Sequence, residues 1–251
     1  MVQGVTVNKQ VGIVNRVTGT SARTPSATAD GRSTRWNGHK ARRRADMLDA
    51  ALSVIEDNGT EISVQQIADR LKVPRPVVYR HFDGRADLDE QIRRHILDSL
   101  LAELLPRLRP DGTVRDAVRG AVGTYVGWVE RHPNLHRFLA AGDPHGSSSS
   151  ALAGARDRIG AQLADLFADT LTSFGLDPNR ARPTAFGMVG FVDGVVNSWR
   201  ADGVLTSEQV EGILAESMLA LIEGNARSLE VPLTRDTVVA DLVARAEAAR
   251  A

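Results

Sequence analysis

The sequence predicts an all-α protein, with an N-terminal three-helix head carrying a helix-turn-helix and a larger α-helical body behind it. Three observations lead there. Apolar residues recur at helical spacing along most of the chain from Met47 onward. Ser or Thr followed three residues later by Gln or Asp, and Gly or Pro at the far end, divide that periodicity into helix-sized segments. Between Ser63 and Phe82 the chain reads SVQQIADRLKVPRPVVYRHF, which is two short helices around a three-residue turn, Leu71-Lys72-Val73. That is the layout of a helix-turn-helix.

Taken in order, residues 1–36 hold turn formers, scattered charge and no sustained period, and are expected to be a disordered basic arm. The head spans 37–84. Its first helix repeats Met47, Leu48, Ala51, Leu52 and Ile55 and stops at Gly59. Ser63 with Gln66 forms a capping box that starts the second helix, with Ile67, Ala68 and Leu71 on its buried face. The third begins near Pro74 to Pro76, because proline is tolerated where first-turn donors have no intrahelical partner. Its exposed side is Arg75, Pro76, Val77, Tyr79 and Arg80. Pro76 also disfavours helical geometry in the residue before it, which places Arg75 just outside the helix.

The body spans 85–230. A long helix opened by Arg85 runs through Leu88, Ile92, Ile96, Leu100 and Leu104 to Pro106 or Pro110 and links head to body. Thr113 with Asp116 caps the next, striped by Val114, Ala117, Val118, Ala121, Val122 and Tyr125 and stopped at Pro133. A short helix, Asn134 to Ala141, precedes a Gly-Asp-Pro-His-Gly and serine loop; a helix over 151–174 then ends at Gly175. Two strong helices follow, one through Phe186, Phe191, Val195, Val196 and Trp199. The other, capped by Thr206 with Gln209, runs through Val210, Ile213, Leu214, Met218, Leu221 and Ile222. Residues 231–251 form a C-terminal helical tail that packs on the body or frays.

The span AALSVIEDNGTEISVQQIADRLKVPRPVVYRHFDGRADL closely resembles the tetracycline-repressor (TetR) family of bacterial transcription regulators. The match lies in the Ala-Ala-Leu first helix, the Gly at its end, the Ile-Ala core pair, the Tyr-x-His-Phe signature and Arg85 three residues after that Phe. It covers about Lys40 to Leu88 and departs at Pro74-Arg75-Pro76, where the family has a small polar cap followed by Arg and Gly. The resemblance implies a ligand-responsive regulator, a repressor with an activator as the alternative, that binds a palindromic operator in double-stranded DNA as a homodimer. Arg75, Pro76 and Val77 are then candidates for base edges. Lys40, Tyr79, Arg80, His81 and Arg85 are candidates for phosphates, and Ser63 and Gln65 also fall on the DNA side.

In the body the resemblance implies a cavity for a mostly hydrophobic small molecule, walled by the helices carrying Leu100, Tyr125, Trp128, Phe167 and Phe186. His132, His136 and Phe138 line or cover it, with plain core packing as the alternative. It also implies a four-helix dimer interface of Phe191, Val195, Val196, Trp199, Val210, Ile213, Leu214, Met218 and Leu221. Gly187, Gly190 and Gly194 would let helices approach closely there.

Composition sets bounds on other functions. There are no cysteines, which excludes disulfides and thiolate chemistry. No phosphate-binding Gly-rich loop, nucleophile elbow, zinc-ligand pair or dinucleotide fingerprint is present, so no enzyme, metal or cofactor is expected. His132 and His136 have metal-ligand spacing, but Pro133 between them breaks the helix that would align them. With no apolar run long enough to span a bilayer, a cytoplasmic, nucleoid-associated protein is expected. The net charge of zero conceals an asymmetry, because residues 1–44 hold nine Lys or Arg and one acid, leaving an excess of eight acids in the remainder. Positive charge concentrated at the head end fits DNA. It also fits a non-specific architectural binder, and an all-helical enzyme with a DNA-binding head is a third reading.

Overall fold

The computed structural model describes residues 30–108, 112–141 and 150–250. The chain divides into two units between Arg42 and Arg43. Of the first, only the opening of helix α1 (Asp30–Asn58) is described. The helix therefore starts inside the segment expected to be disordered, while the rest of the basic arm lies outside the described residues.

Within the second unit every regular element among the described residues is helical. The head consists of α1 from Arg43 onward, α2 (Val64–Leu71) and α3 (Arg75–Tyr79). Its core joins Met47, Ala51, Val54 and Ile55 of α1 to Ile67 and Ala68 of α2 and Val78 of α3. Gly59, at φ 87°, takes the left-handed turn that ends α1 without a Cβ penalty. The connecting helix α4 (Gly84–Leu104) gives Leu88 and Ile92 to the head core and Leu97, Leu100 and Leu101 to the same continuous core in the body.

The body is built from α5 (Val114–Arg131), α6 (Pro133–Ala140), α7 (Ser150–Ser173), α8 (Ala181–Asp202), α9 (Ser207–Ser228) and α10 (Val239–Arg250). The capping boxes at Thr113 and Thr206 are both formed, each side chain accepting from the backbone N–H three residues on. The residues after 230, set apart as a tail by the sequence, are part of this body. Val114, Leu219, Val239 and Leu242 form a second core. An antiparallel bridge between Thr113 and Val238 fixes the approach to α10. Arg235 secures the segment by bonding Glu223 through Nε at 3.1 Å and Glu216 through Nη1 at 2.9 Å.

Candidate nucleic-acid interface and internal cavity

The helix-turn-helix is held by local chemistry. Ser63 Oγ accepts from the Gln66 N–H at 3.2 Å while Gln66 Oε1 accepts from the Ser63 N–H at 2.7 Å, closing the capping box. Ser63 is thus committed to starting α2, and Gln65 donates to Asp69 at 2.7 Å. Lys72 adopts the left-handed conformation (φ 55°), and the Val73 N–H returns to the Ala68 carbonyl at 3.0 Å. This sharp stop turns the chain into α3.

At the start of α3 the extended backbone falls on Pro74 (φ −62°, ψ 140°) rather than on Arg75, which is the first helical residue. Arg75 therefore lies inside the helix, contrary to the expectation that Pro76 would keep it out. Pro76 occupies the second position, where a missing N–H removes no intrahelical bond. Arg75 folds along the helix, donating to the Tyr79 hydroxyl at 3.0 Å with its guanidinium 5.3 Å from the ring centre. Pro76 and Arg80 are exposed, whereas Val77 and His81 are half-buried, and Val77 packs on the head core.

Arg85 is less free than the sequence suggested. Its Nη1 donates to the Ile62 carbonyl at 2.6 Å and its Nε to Asp89 at 2.9 Å, so it fastens α4 to the entry of α2. The helix it was expected to open begins one residue earlier, at Gly84. Lys40, in the first unit, is an exposed residue of α1.

In the body, α4 to α10 line a partly open cavity of about 920 Å³. Leu100, Tyr125, Trp128, His136 and Phe167 line it. Three expected residues do not. His132 turns to the head, where its Nδ1 lies 2.7 Å from Glu56 Oε1 of α1. Phe138 is buried in the core beneath the Arg93 guanidinium. The Phe186 ring packs at Gly160, where even a Cβ would come within 2.8 Å of it. Proline-induced separation of α5 and α6 thus sends His132 and His136 to different partners.

The sequence reading missed the cavity's polar groups. Asp193 accepts from Arg156 Nε at 2.6 Å, and its charge stands close to the Tyr125 phenol. Burial and the neighbouring Asp193 charge hold the Tyr125 phenol well above its ordinary range, so it stays a protonated donor. Burial and the Arg200 guanidinium push His136 below its usual value, leaving it neutral. The available signal was the single acid in the apolar run Phe191-Val192-Asp193-Gly194-Val195-Val196.

The expected dimer interface is divided by the structure. Val196, Val210 and Leu214 are fully buried within one chain, and Met218 lines the cavity, so none of the four is a surface residue. Val195 and Trp199 are half-buried against the same core. Phe191, Ile213 and Leu221 are exposed by 39%, 45% and 40%, and Gly187, Gly190 and Gly194 lie open beside Phe191.

A helix-turn-helix with an exposed third helix, set on a helical body with an internal cavity, defines a DNA-binding regulator. Residues 47–92 match the model of bacterial regulatory proteins, tetR family. Over 183 residues the chain is 29% identical to an uncharacterized HTH-type transcriptional regulator of Mycobacterium tuberculosis, covering 72% of this chain and 78% of that protein. It is 28% identical over 148 residues to the HTH-type transcriptional activator FasR of Mycolicibacterium smegmatis, covering 59% of this chain and 67% of that one. A crystal structure of a tetR-family transcriptional regulator from Streptomyces coelicolor has the same fold, with a TM-score of 0.61 at 21% identity over 83% of this chain and 89% of that one. Residues 47–92 are thus a helix-turn-helix domain of the tetR family type, in a chain that is a DNA-binding transcriptional regulator. No helix among the described residues is long and apolar enough to cross a membrane.

Proposed function

We propose that the protein acts in the cytoplasm as a homodimeric repressor whose two α3 helices enter successive major grooves of a palindromic operator, and that a mostly apolar effector in the body cavity modulates this binding. The observation carrying the proposal is α4, which packs Leu88 and Ile92 into the head and lines the cavity with Leu97, Leu100, Leu101 and Leu104. At 1.5 Å per residue this helix reaches about 30 Å, so a shift at the cavity is felt at the head. Half-sites one helical turn apart require the heads to sit roughly 34–36 Å from each other. A ligand that alters this separation by tilting α4 weakens binding, with a coupling of about 1–3 kcal/mol.

In this reading Arg75 reads guanine, and Pro76 with the accessible part of Val77 meets a thymine methyl. Arg80, Tyr79, His81 and Lys40 serve the backbone, with Arg85, Ser63 and Gln65 chiefly shaping the head. Phe191, Ile213 and Leu221, with the open glycines of α8, form the face that pairs with a second copy. Selecting bound duplexes from a randomised pool should return a two-fold symmetric sequence, and equal retention of random DNA would sink the proposal in favour of an architectural binder. One observation favours a second reading of sign, since FasR is named an activator. Transcription from a promoter carrying the selected sequence falls on addition of the protein if it represses and rises if it activates.

A further inference from the structure

Five of the cavity's polar residues are gathered at one end, apart from Thr170, Arg180, Thr184, Asn225 and Ser228. Tyr125, Arg156, Asp193, His136 and Asn197 line it where the later part of α5, the start of α7 and the later part of α8 meet. From Arg156 to Thr170 the wall follows α7 for about 20 Å at 1.5 Å per residue. Most of that wall is apolar, with Ile159, Leu163, Leu166 and Phe167 from α7 facing Val118, Met188 and Met218. Such a space matches an elongated molecule with a long apolar part and a polar head.

The charge at the polar end indicates which head. Asp193, the sole acid lining the cavity among the described residues, is already paired with Arg156. A cationic head would have to displace Arg156. Arg156 spends only Nε on Asp193, and its terminal nitrogens bond nothing else among the described residues. A second, smaller cavity shares His136, Ala140 and Asn197 with the first and adds Arg137 and Arg200, so further positive charge stands behind this end. At the opposite end the one cation among the described residues, Arg180, is exposed, whereas Arg156 is half-buried beside convergent hydrogen-bonding groups.

We propose that the cavity takes an anionic amphiphile, its apolar chain lying along α7 and its carboxylate or phosphate oxygens held by the free guanidinium edge of Arg156, with Asp193 tuning that arginine. The inference rests on the reading of this cavity as the effector site and adds the class of ligand. Isothermal titration of the full chain with dodecanoate, dodecyl phosphate, 1-dodecanol and dodecylammonium, all below micelle formation, tests it. Charge-assisted bonds to Arg156 should make the preferred anion about tenfold tighter than the alcohol, with the ammonium weakest. Whichever anion binds tighter identifies the head.

Arg156→Gln should bring the anion to the level of the alcohol without changing the alcohol. Asp193→Asn, which removes the competing carboxylate, should tighten the anion, an opposite sign that a merely structural ion pair does not give. Arg180→Gln should change neither. The inference is overturned if Arg156→Gln leaves the anion-to-alcohol ratio unaltered, if Asp193→Asn weakens the anion as Arg156→Gln does, or if Arg180→Gln does the damage. If the neutral dye Nile red binds but no amphiphile does, the effector-cavity reading stands and the head-group inference falls. If nothing binds, both fall.

Discussion

Ile213 and Leu214 are adjacent on α9 yet face opposite environments, Ile213 being 45% exposed and Leu214 fully buried. Their substitutions should therefore fail in different experiments. Leu214→Ala removes packing from the core shared with Val196 and Val210 and should cost about 2–5 kcal/mol of folding stability. Ile213→Glu leaves the single chain within roughly 0.5 kcal/mol, as surface substitutions do. In the proposed dimer it places two carboxylates in an apolar seam with no partner. A loss of roughly 2–5 kcal/mol there corresponds to a dimer about 30- to 4000-fold weaker. A Glu at Val196 or Leu214 would instead put an unpaired charge inside one chain and unfold it, so it cannot report on assembly. Sedimentation equilibrium over a concentration series measures the dimer, and urea unfolding of the dissociated variant measures the chain. If Ile213→Glu and Phe191→Glu both sediment as dimers with the parent affinity, the α8–α9 face is not the interface.

Arg75→Ala should cost about 1–3 kcal/mol and relax preference at one symmetric pair of operator positions, whereas Arg80→Ala should weaken selected and random duplexes alike and lower the salt slope by about one. Fluorescence titrations over a salt series distinguish them, and equal losses on both duplexes for Arg75→Ala would make it a phosphate contact. His132→Phe keeps a ring beside Trp128, 5.3 Å from the original one, but loses the bond to Glu56. It should cost about 0.5–1.5 kcal/mol and speed amide exchange in the last turn of α1, and unchanged exchange there would remove the bridge from the account. Hydrogen bonds and charge from Arg235 lower Glu223 from its ordinary 4.5 to about 2. Because the folded value is the depressed one, this docking is fully present above about pH 4.5 and is lost as pH falls toward 2. Arg235→Ala should abolish that acid dependence of proteolysis near 231–238, and a persistent dependence would assign it to another group.

The parts legible in the sequence were those decided within a few residues. The capping boxes at Ser63, Thr113 and Thr206 each need a hydroxyl, a three-residue step and a Gln or Asp, and all three form. The third helix of the head was placed by two prolines for the same reason. What depended on the rest of the chain was not legible. Along α8 and α9 apolar residues occupy both faces, and periodicity cannot say which face the chain itself covers. Val196, Val210 and Leu214 therefore read as interface although they are core, while Phe191, Ile213 and Leu221 keep the exposed side. The Arg156–Asp193 pair joins residues of two helices, and no local pattern brings them together.

The contacts also separate the surface that would read DNA from the elements that would respond to ligand. Two routes run from the cavity to the head. One is α4 itself, pinned to α1 by His95 and Asp49 at 2.6 Å and to the entry of α2 by Arg85 and the Ile62 carbonyl. The other is the α5–α6 corner, where Trp128 lines the cavity and packs at a tilt against His132, which bonds Glu56, while Asn134 donates to the Glu56 carbonyl at 2.9 Å. These bonds end on α1 and on the approach to α2, and none of them ends on α3. Under the proposed function, movement of the cavity wall would be delivered to the helices that carry α3, shifting the head while leaving the Arg75–Tyr79 contact in place. Coupling requires an element with two arrangements that both sites bias, and in the proposed reading that element would be the seat of the head on α4 and the α5–α6 corner. Substitutions at Glu56 or His132 should therefore change how strongly a ligand releases DNA without changing which sequence is bound, and a shift in selected sequence from either would show that the two functions share α3 after all.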